Sequence, residues 1–532
     1  MYRSIRANAS ALVLAASAVF TSATSAQASQ VDCTAVPDWD SASAYASGAR
    51  VVENQQRYTA NWWNQNTLPS SHHGEWGEWT LDGACLPVFH AVDIDKELLI
   101  RDLSVVDSQA AISGELSWVH LIEQMMPQEN PTNAEKEAFV LHWLNSYLNQ
   151  QVINEDVVAT RPQIQTLFIE PWRGMSFSLS QGTSDALNFD IHLFRLLAIV
   201  YRPDLHTRDA SGQVTSGGEA RFVFSFNQPS SGGTLPAKVI FEYGLEANSE
   251  EELLAWAEGF HALGALEFGE QYNQQLIALT NRFTGKNTVP HKPNGNALNQ
   301  LRTNELPFAD PWQLREFKLS AETGLLEPAT VAQTPADDVN GTQLFADYVN
   351  SAEAEILDGS YVVPLQFAGE PLLGGASDAE IGRFARPVTT WNGPGILNNE
   401  ARHIVGLNTC SGCHGTETNT EFSHVVEREV GEVAEISAFM SGVVINSATG
   451  EEEPFAVEDP VSGELRQFHE LDDRKTIMDC LLERCFASAT DTVTVAARSL
   501  RSAVPQESTV AVKSAEAIAF EALMAERRAR AH

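Results

Sequence analysis

The sequence predicts a multidomain protein: a small, disulfide-closed antiparallel β module, followed by a large α+β body with a mainly α C-terminal part. Three observations support this. At 532 residues the chain is longer than one hydrophobic core ordinarily serves. Seven aromatic residues crowd between Cys33 and Cys85, in short β-like runs broken by turn residues. Beyond them, helix-like and strand-like runs follow one another without the regular alternation that a barrel or a doubly wound sheet requires.

Residues 1–28 read as a secretory signal peptide. Arg3 and Arg6 make a basic start, Leu12 to Phe20 an apolar run too short to span a bilayer, and Ala26-Gln27-Ala28 a small-residue cleavage site. This predicts a secreted or periplasmic location. The formal net charge of −36 comes from 70 acidic against 34 basic residues. Such a surface repels nucleic acid and anionic membrane, so neither is an expected partner.

Residues 29–86 form the predicted module. Arg50 to Glu53 and Arg57 to Trp62 are its clearest strands, and Gly48, Pro69 and Gly83 mark turns. So small a unit has little interior, and a bridge between Cys33 and Cys85 would compensate, although six cysteines can pair in many ways. Sugar rings have flat apolar faces, and exposed indoles offer rigid planes that match them at low entropic cost. Trp62, Trp63 and Trp76 are the candidate binding strip, each as suited to core as to contact surface.

The run Ala44-Tyr45-Ala46-Ser47-Gly48-Ala49-Arg50-Val51, then Tyr58 to Asn66, then Pro69, Trp76 and Gly83-Ala84-Cys85, resembles the type 3 chitin-binding module of carbohydrate-binding family 5/12. His72-His73 ahead of Trp76 departs from that pattern. The resemblance implies chitin or a cellulose-like polysaccharide as ligand.

Residues 87–330 predict an α+β domain. Ala134 to Gln150 is an amphipathic helix, and Phe189 to Tyr201 a buried element. Arg221 to Phe226 and Lys238 to Tyr243 are paired strands joined by a turn-rich loop, and Ser249 with Glu252 caps a helix carrying Leu253, Trp256 and Phe260. Glu219, Arg221, His192, His206 and His261 are polar residues in or beside apolar runs, which usually marks satisfied structural groups. No zinc helix, nucleophile elbow or phosphate loop is present. The Asp-x-x-Asp-x-Asp-x-Glu string of the commonest chitinase barrel is also absent, and no catalytic residue is assigned. Phe194 to Val200 and Gly218 to Phe224 resemble stretches of large exported bacterial proteins of unassigned function, which implies no activity.

Residues 331–532 hold the most specific motif, Cys410-Ser411-Gly412-Cys413-His414. Two thiols three positions apart and an adjacent imidazole form the attachment pattern of haem c: thioethers from Cys410 and Cys413, iron ligation by His414. With the predicted helix over 399–407 just before it, the motif resembles the opening of a class I c-type cytochrome. That resemblance implies a sixth ligand further along, Met478 or Met440, with His424, His469 or an open position as alternatives. Disulfides among Cys410, Cys413, Cys480 and Cys485 also fit the spacing, as does a zinc site using Cys410, Cys413, His414 or His424. Three functions follow: electron transfer at a polysaccharide surface, with a separate redox enzyme as partner; a secreted glycoside hydrolase acting on chitin or a related polymer; or a non-catalytic chitin adhesin with structural disulfides.

Overall fold

The computed structural model describes residues 30–483 except 32, 34, 35, 38, 55, 75, 86–90, 175–185, 210, 230, 231, 306–310, 381–388 and 422. The signal peptide, Cys485 and the C-terminal helix expected from Lys513 onward lie outside the described residues, as does the side chain of Cys85. The described residues fall into two compact units, one up to residue 90 and one from residue 91. Among the described residues no helix is long and apolar enough to cross a membrane.

In the first unit, β1 (Gln30–Val31), β2 (Arg50–Glu53), β3 (Gln56–Ala60) and β4 (Trp79–Cys85) form one sheet in the order β1-β4-β3-β2. Its interior is small, with Val51, Tyr58, Ala60 and Trp79 buried and Trp39 and Tyr45 packed against them. The indole of Trp79 donates to the Thr67 carbonyl (2.9 Å), which keeps its one polar atom bonded inside. Three of the four strands pair antiparallel as expected, but β1 runs parallel to β4. Cys33 is buried, and the register sets Val31, two residues before it, opposite Cys85.

The second unit is built on an eight-stranded antiparallel sheet. Its strands are β5 (Leu99–Ile100), β6 (Phe194–Arg208), β7 (Val214–Asn227), β8 (Thr234–Gly244), β9 (Leu298–Glu305), β10 (Trp312–Leu319) and β11 (Leu326–Ala329), adjacent in that order, with β12 (Ser377–Ala379) on β10. Strand alternation divides the sheet's side chains between two layers. Phe222, Phe224, Val239, Phe241, Tyr243 and Leu301 point to one face, in a core shared with α1 (Trp118–Met125), α2 (Asn133–Asn145), α3 (Glu250–Gly264) and α4 (Glu270–Thr284). Ring stacking tightens that layer, with Trp118 on Phe194 at 3.9 Å and Tyr201 on Phe260 at 4.0 Å between centroids. Val200 and Val223 point to the other face, into a core with Leu407, Val425, Phe439, Met440, Phe455, Phe468 and Leu471 from the C-terminal part of the chain.

The predicted elements of 87–330 are present. Thr132 and Glu135 close a capping box on α2, and Ser249 caps α3, its hydroxyl accepting from the Glu252 amide (3.2 Å). The buried run from Phe189 to Tyr201 is realised mainly as the first half of β6, covered on both faces.

The expected boundary between 330 and 331 is crossed by the sheet itself, since β12 pairs with β10. The C-terminal part also differs from the mainly α expectation. Among its described residues, α5 (Gln343–Ser351), α6 (Asn399–Asn408), α7 (Cys410–Cys413), α8 (Ala438–Ser441) and α9 (Glu470–Leu482) alternate with hairpins, Val443–Ile445 on Glu452–Pro454 and Ala456–Glu458 on Leu465–Gln467. Gly450 and Gly463, both at positive φ, turn these hairpins. The Ala/Glu/Leu-rich composition behind the helical expectation belongs to residues from 513 onward.

Candidate functional site: a cavity between the sheet and the Cys410–His414 turn

The sheet's second face is unusually polar for a buried surface. Arg202 on β6, Arg221 on β7, Lys238 and Glu242 on β8, and Arg302 and Asn304 on β9 alternate with the core aromatics and point away from them. Register aligns them in rows: Arg221 lies opposite Glu242, Ile240 opposite Arg302, Lys238 opposite Asn304. With Val200, Val223, Ile240 and Leu314 they form one wall of a cavity of about 110 Å³. The other wall is C-terminal: Cys410, Cys413, His414, Ser423, His424, Val425, Phe439, Met440 and Arg474.

Local sequence explains how the motif reaches the cavity. Asn398 caps α6 by accepting from the Glu400 amide (2.9 Å), and α6 ends where Thr409 leaves helical geometry. Thr409 then caps the single turn of α7, its hydroxyl accepting from the Gly412 amide (3.1 Å) and donating to the Gly406 carbonyl (2.7 Å). A Cβ at Gly412 would collide with that same carbonyl oxygen. Gly412→Ala is therefore expected to cost about 1–3 kcal/mol in urea unfolding; an unchanged midpoint would show that the turn has room.

The Cys410 amide donates to Thr334 Oγ1 (3.3 Å), and its Sγ lies 3.4 Å from the same hydroxyl. Burial pushes the Cys410 thiol up to about 11, so it stays protonated at neutral pH. Cys413 Sγ is 3.3 Å from His424 Nε2, while His424 Nδ1 meets Ser437 Oγ at 2.9 Å. Burial, then the neighbouring His414, hold His424 well below the usual imidazole range, so it is neutral. The His414 ring lies 4.6 Å from that of His424 and 5.8 Å from that of Trp312.

The charged wall is a network. Arg202 pairs with Asp204 (2.7 Å), Lys238 with Glu427 (2.6 Å), Arg221 with Glu219 (2.6 Å) and Arg302 with Glu316 (3.1 Å). Burial, only partly countered by Glu427, pushes Lys238 down to about 8. Burial opposes the charge on Arg302 as well, yet Glu242 and Glu316 outweigh it and raise its pKa.

Of the two methionines expected as sixth ligand, Met440 lines this cavity and Met478 does not. Met478 is buried with Ile477 and Leu481 in the helix-covered core. His424 lines the cavity; His469 is not among its lining residues. Cys410 and Cys413 are thiols and not a disulfide. Donors sharing one zinc ion lie within about 4 Å of each other. Among the described residues, the group meeting a comparable limit of 4.8 Å is His403, Glu417 and Asp459, not the cysteines. Arg402 already occupies that group, bonded to Glu417 and to Asp459 (2.9 Å), so it reads as a buried ion-pair knot.

In the first unit the aromatics separate cleanly. Tyr58 and Trp79 are interior, whereas Trp62, Trp63 and Trp76 are 45%, 64% and 84% exposed. His72 and His73 sit at the base of the loop carrying Trp76: the Trp79 amide donates to the His72 carbonyl (3.1 Å), and His72 Nδ1 lies 3.3 Å from Glu78.

Fold and site together define a class: a β module displaying indoles, and a sheet-and-helix body enclosing a cavity with thiols and imidazoles on one wall and guanidiniums among its lining. No family model matches the chain. Endoglucanase MaCel5A of Microbulbifer sp. (strain ALW1) is 40% identical over 53 residues, 10% of this chain and 10% of that protein, so the chain spans about a tenth of the length of the curated relative it matches. The crystal structure of a chitinase C mutant is matched at 14% identity, covering 47% of this chain and 68% of that one, with a TM-score of 0.09, which carries no argument about the fold.

Proposed function

We propose that this is an exported polysaccharide-binding protein whose body carries a covalently attached haem c and moves single electrons at the polysaccharide surface. One observation carries the haem reading: Cys410, Cys413 and His414 line one cavity together with Met440. Val200, Val223, Ile240, Leu314, Val425 and Phe439 supply apolar surface for a flat ring. Cys410 and Cys413 would hold it covalently, His414 would ligate the iron, and Met440 is the favoured sixth ligand. Bound haem supplies reversible one-electron transfer. The chain's own groups keep His424 neutral and surround the site with fixed charge.

The exposed Trp62, Trp63 and Trp76 support carbohydrate binding, and a Cys33–Cys85 bridge closing the module belongs to the same reading. The similarity to an endoglucanase extends over 53 residues, far fewer than the roughly 250 of a barrel hydrolase, which favours a binding module over a catalytic domain. Expressed with a c-type maturation system, the protein should gain the mass of one haem and show a Soret band that survives acid–acetone extraction. Neither signal appearing would overturn the haem reading. Trp76→Ala should weaken retention on chitin by about 2 kcal/mol with unchanged melting, and full retention would remove Trp76 from the binding strip.

A further inference from the structure

A second cavity, of about 350 Å³, lies between α6 and the hairpin strand Leu465–Gln467, and it shares no residue with the one beside His414. Its volume is within the range of about 300–1,000 Å³ usual for small-molecule sites. Glu400, His403, Ile404 and Leu407 recur at three- and four-residue spacing, so one stripe of α6 faces it. Arg466, Gln467 and Phe468 line it from the hairpin side.

The ion-pair knot fixes the polar groups of this cavity and still leaves them bonding capacity. His403 Nδ1 is 2.7 Å from Glu417, and a carboxylate only accepts, so the ring proton sits on Nδ1. Nε2 is bonded to none of the described residues and is the acceptor of the neutral ring. Arg466 gives its two terminal nitrogens to Glu400 and to Asp459 (3.3 Å), while its Nε is buried without a hydrogen-bond partner. Asn408, also in the lining, donates through Nδ2 to the Ile404 carbonyl (2.8 Å), and its Oδ1 is buried without a partner. Buried polar atoms left unbonded are costly, so a ligand that pairs them is favoured.

Charge selects no ion here, since Arg466 already faces two acids and Glu417 already meets Arg402 and His403. The fitting ligand is neutral, donates to His403 and Asn408, and accepts from Arg466. Hydroxyl groups do both. Ile404, Leu407 and Phe468 add apolar surface for C–H groups. At about 30 Å³ for each water-sized group the space takes roughly a dozen of them, which is one hexose ring with its hydroxyls. We infer that this cavity binds a single pyranose unit of a neutral sugar. The choice of a sugar over another polyol rests on the polysaccharide reading of the protein, and nothing in it depends on a haem.

The test uses the full chain with Trp62→Ala, Trp63→Ala and Trp76→Ala, which removes the module's exposed indoles, titrated by calorimetry with N-acetylglucosamine and with glucose. At least one of the two should bind with 1:1 stoichiometry and slow amide exchange across 403–408 and 465–468. Arg466→Lys, which keeps the charge and removes Nε, should weaken binding at least about tenfold, the loss of one charge-assisted hydrogen bond. Glu400→Trp, at a half-exposed position on the same stripe, should block it. Binding of neither sugar overturns the inference, as does protection confined to other segments. Displacement of the sugar by inorganic phosphate overturns the neutral-ligand assignment. Retention of the unsubstituted chain on chitin reads the module by itself, so failure of the pocket and failure of the module are distinguishable. The exchange measurement needs no pocket variant and decides the matter even if Arg466→Lys fails to fold.

Discussion

Replacing Arg402 with methionine is expected to cost about 3–5 kcal/mol of folding stability, because it leaves buried carboxylates without their cation. Arg402 is fully buried on α6 and meets Glu417 and Asp459 through its two terminal nitrogens, the Trp391 carbonyl (3.1 Å) and Asn399 Oδ1 (2.9 Å). Without it, His403 and Arg466 would be left to face the two acids. Burial opposes the charge on Asp459, but the Ser462 and Val461 amides, Arg402 and Asn399 outweigh it and hold the carboxyl well below its ordinary 3.8. A depressed carboxylate pKa contributes stability that is fully present above the unfolded value and is lost as pH falls through the folded value. Arg402→Met should therefore lower stability at neutral pH and also move acid unfolding to higher pH. Urea unfolding at pH 7 and melting as a function of pH measure both, and a loss under about 1 kcal/mol would mean that the knot is dispensable.

The two methionines should respond in opposite ways. Met478→Ala is expected to cost about 2–5 kcal/mol by opening a void in the helix-covered core, with no effect on a haem spectrum. Under the haem reading, Met440→Ala should alter the visible spectrum and lower the reduction potential, since methionine with histidine ligation raises it. If Met478→Ala changed the spectrum and Met440→Ala left it intact, the assignment would be reversed.

Much of the local structure is legible from the residues. The Thr132–Glu135 and Ser249–Glu252 caps, the paired strands around Arg221 and Lys238, and the helix before Cys410 follow from short-range chemistry. The three exposed indoles stand out as a binding strip, but the sequence leaves each as suited to core, because burial in so small a unit depends on which strands pair. The sheet's contribution to the site is not legible in the same way. Arg221 reads as a structural residue, and Lys238, Glu242 and Arg302 carry no functional signal, since a charged residue alternating with aromatics on a strand ordinarily faces water. Here a second layer covers that face. One signal is available: three strands adjacent in the sheet each carry a basic residue within an otherwise mostly apolar or uncharged run, Arg221, Lys238 and Arg302. The choice between Met440 and Met478 is also hidden, because their distances from His414 along the chain do not say which core each one enters.

The burial of Cys410, Ser411 and Cys413 has a consequence for biogenesis. An attachment enzyme must reach both sulfurs, yet in the folded body one thiol sits against Thr334 and the other beside His424. Under the haem reading, covalent attachment precedes closure of the C-terminal layer onto the sheet. The meander from β6 to β10 precedes the motif in the chain, so one wall can form while the motif is still accessible. Maturation would then be a race between the ligation machinery and the protein's own folding, and a chain that closed first would be permanently haem-free.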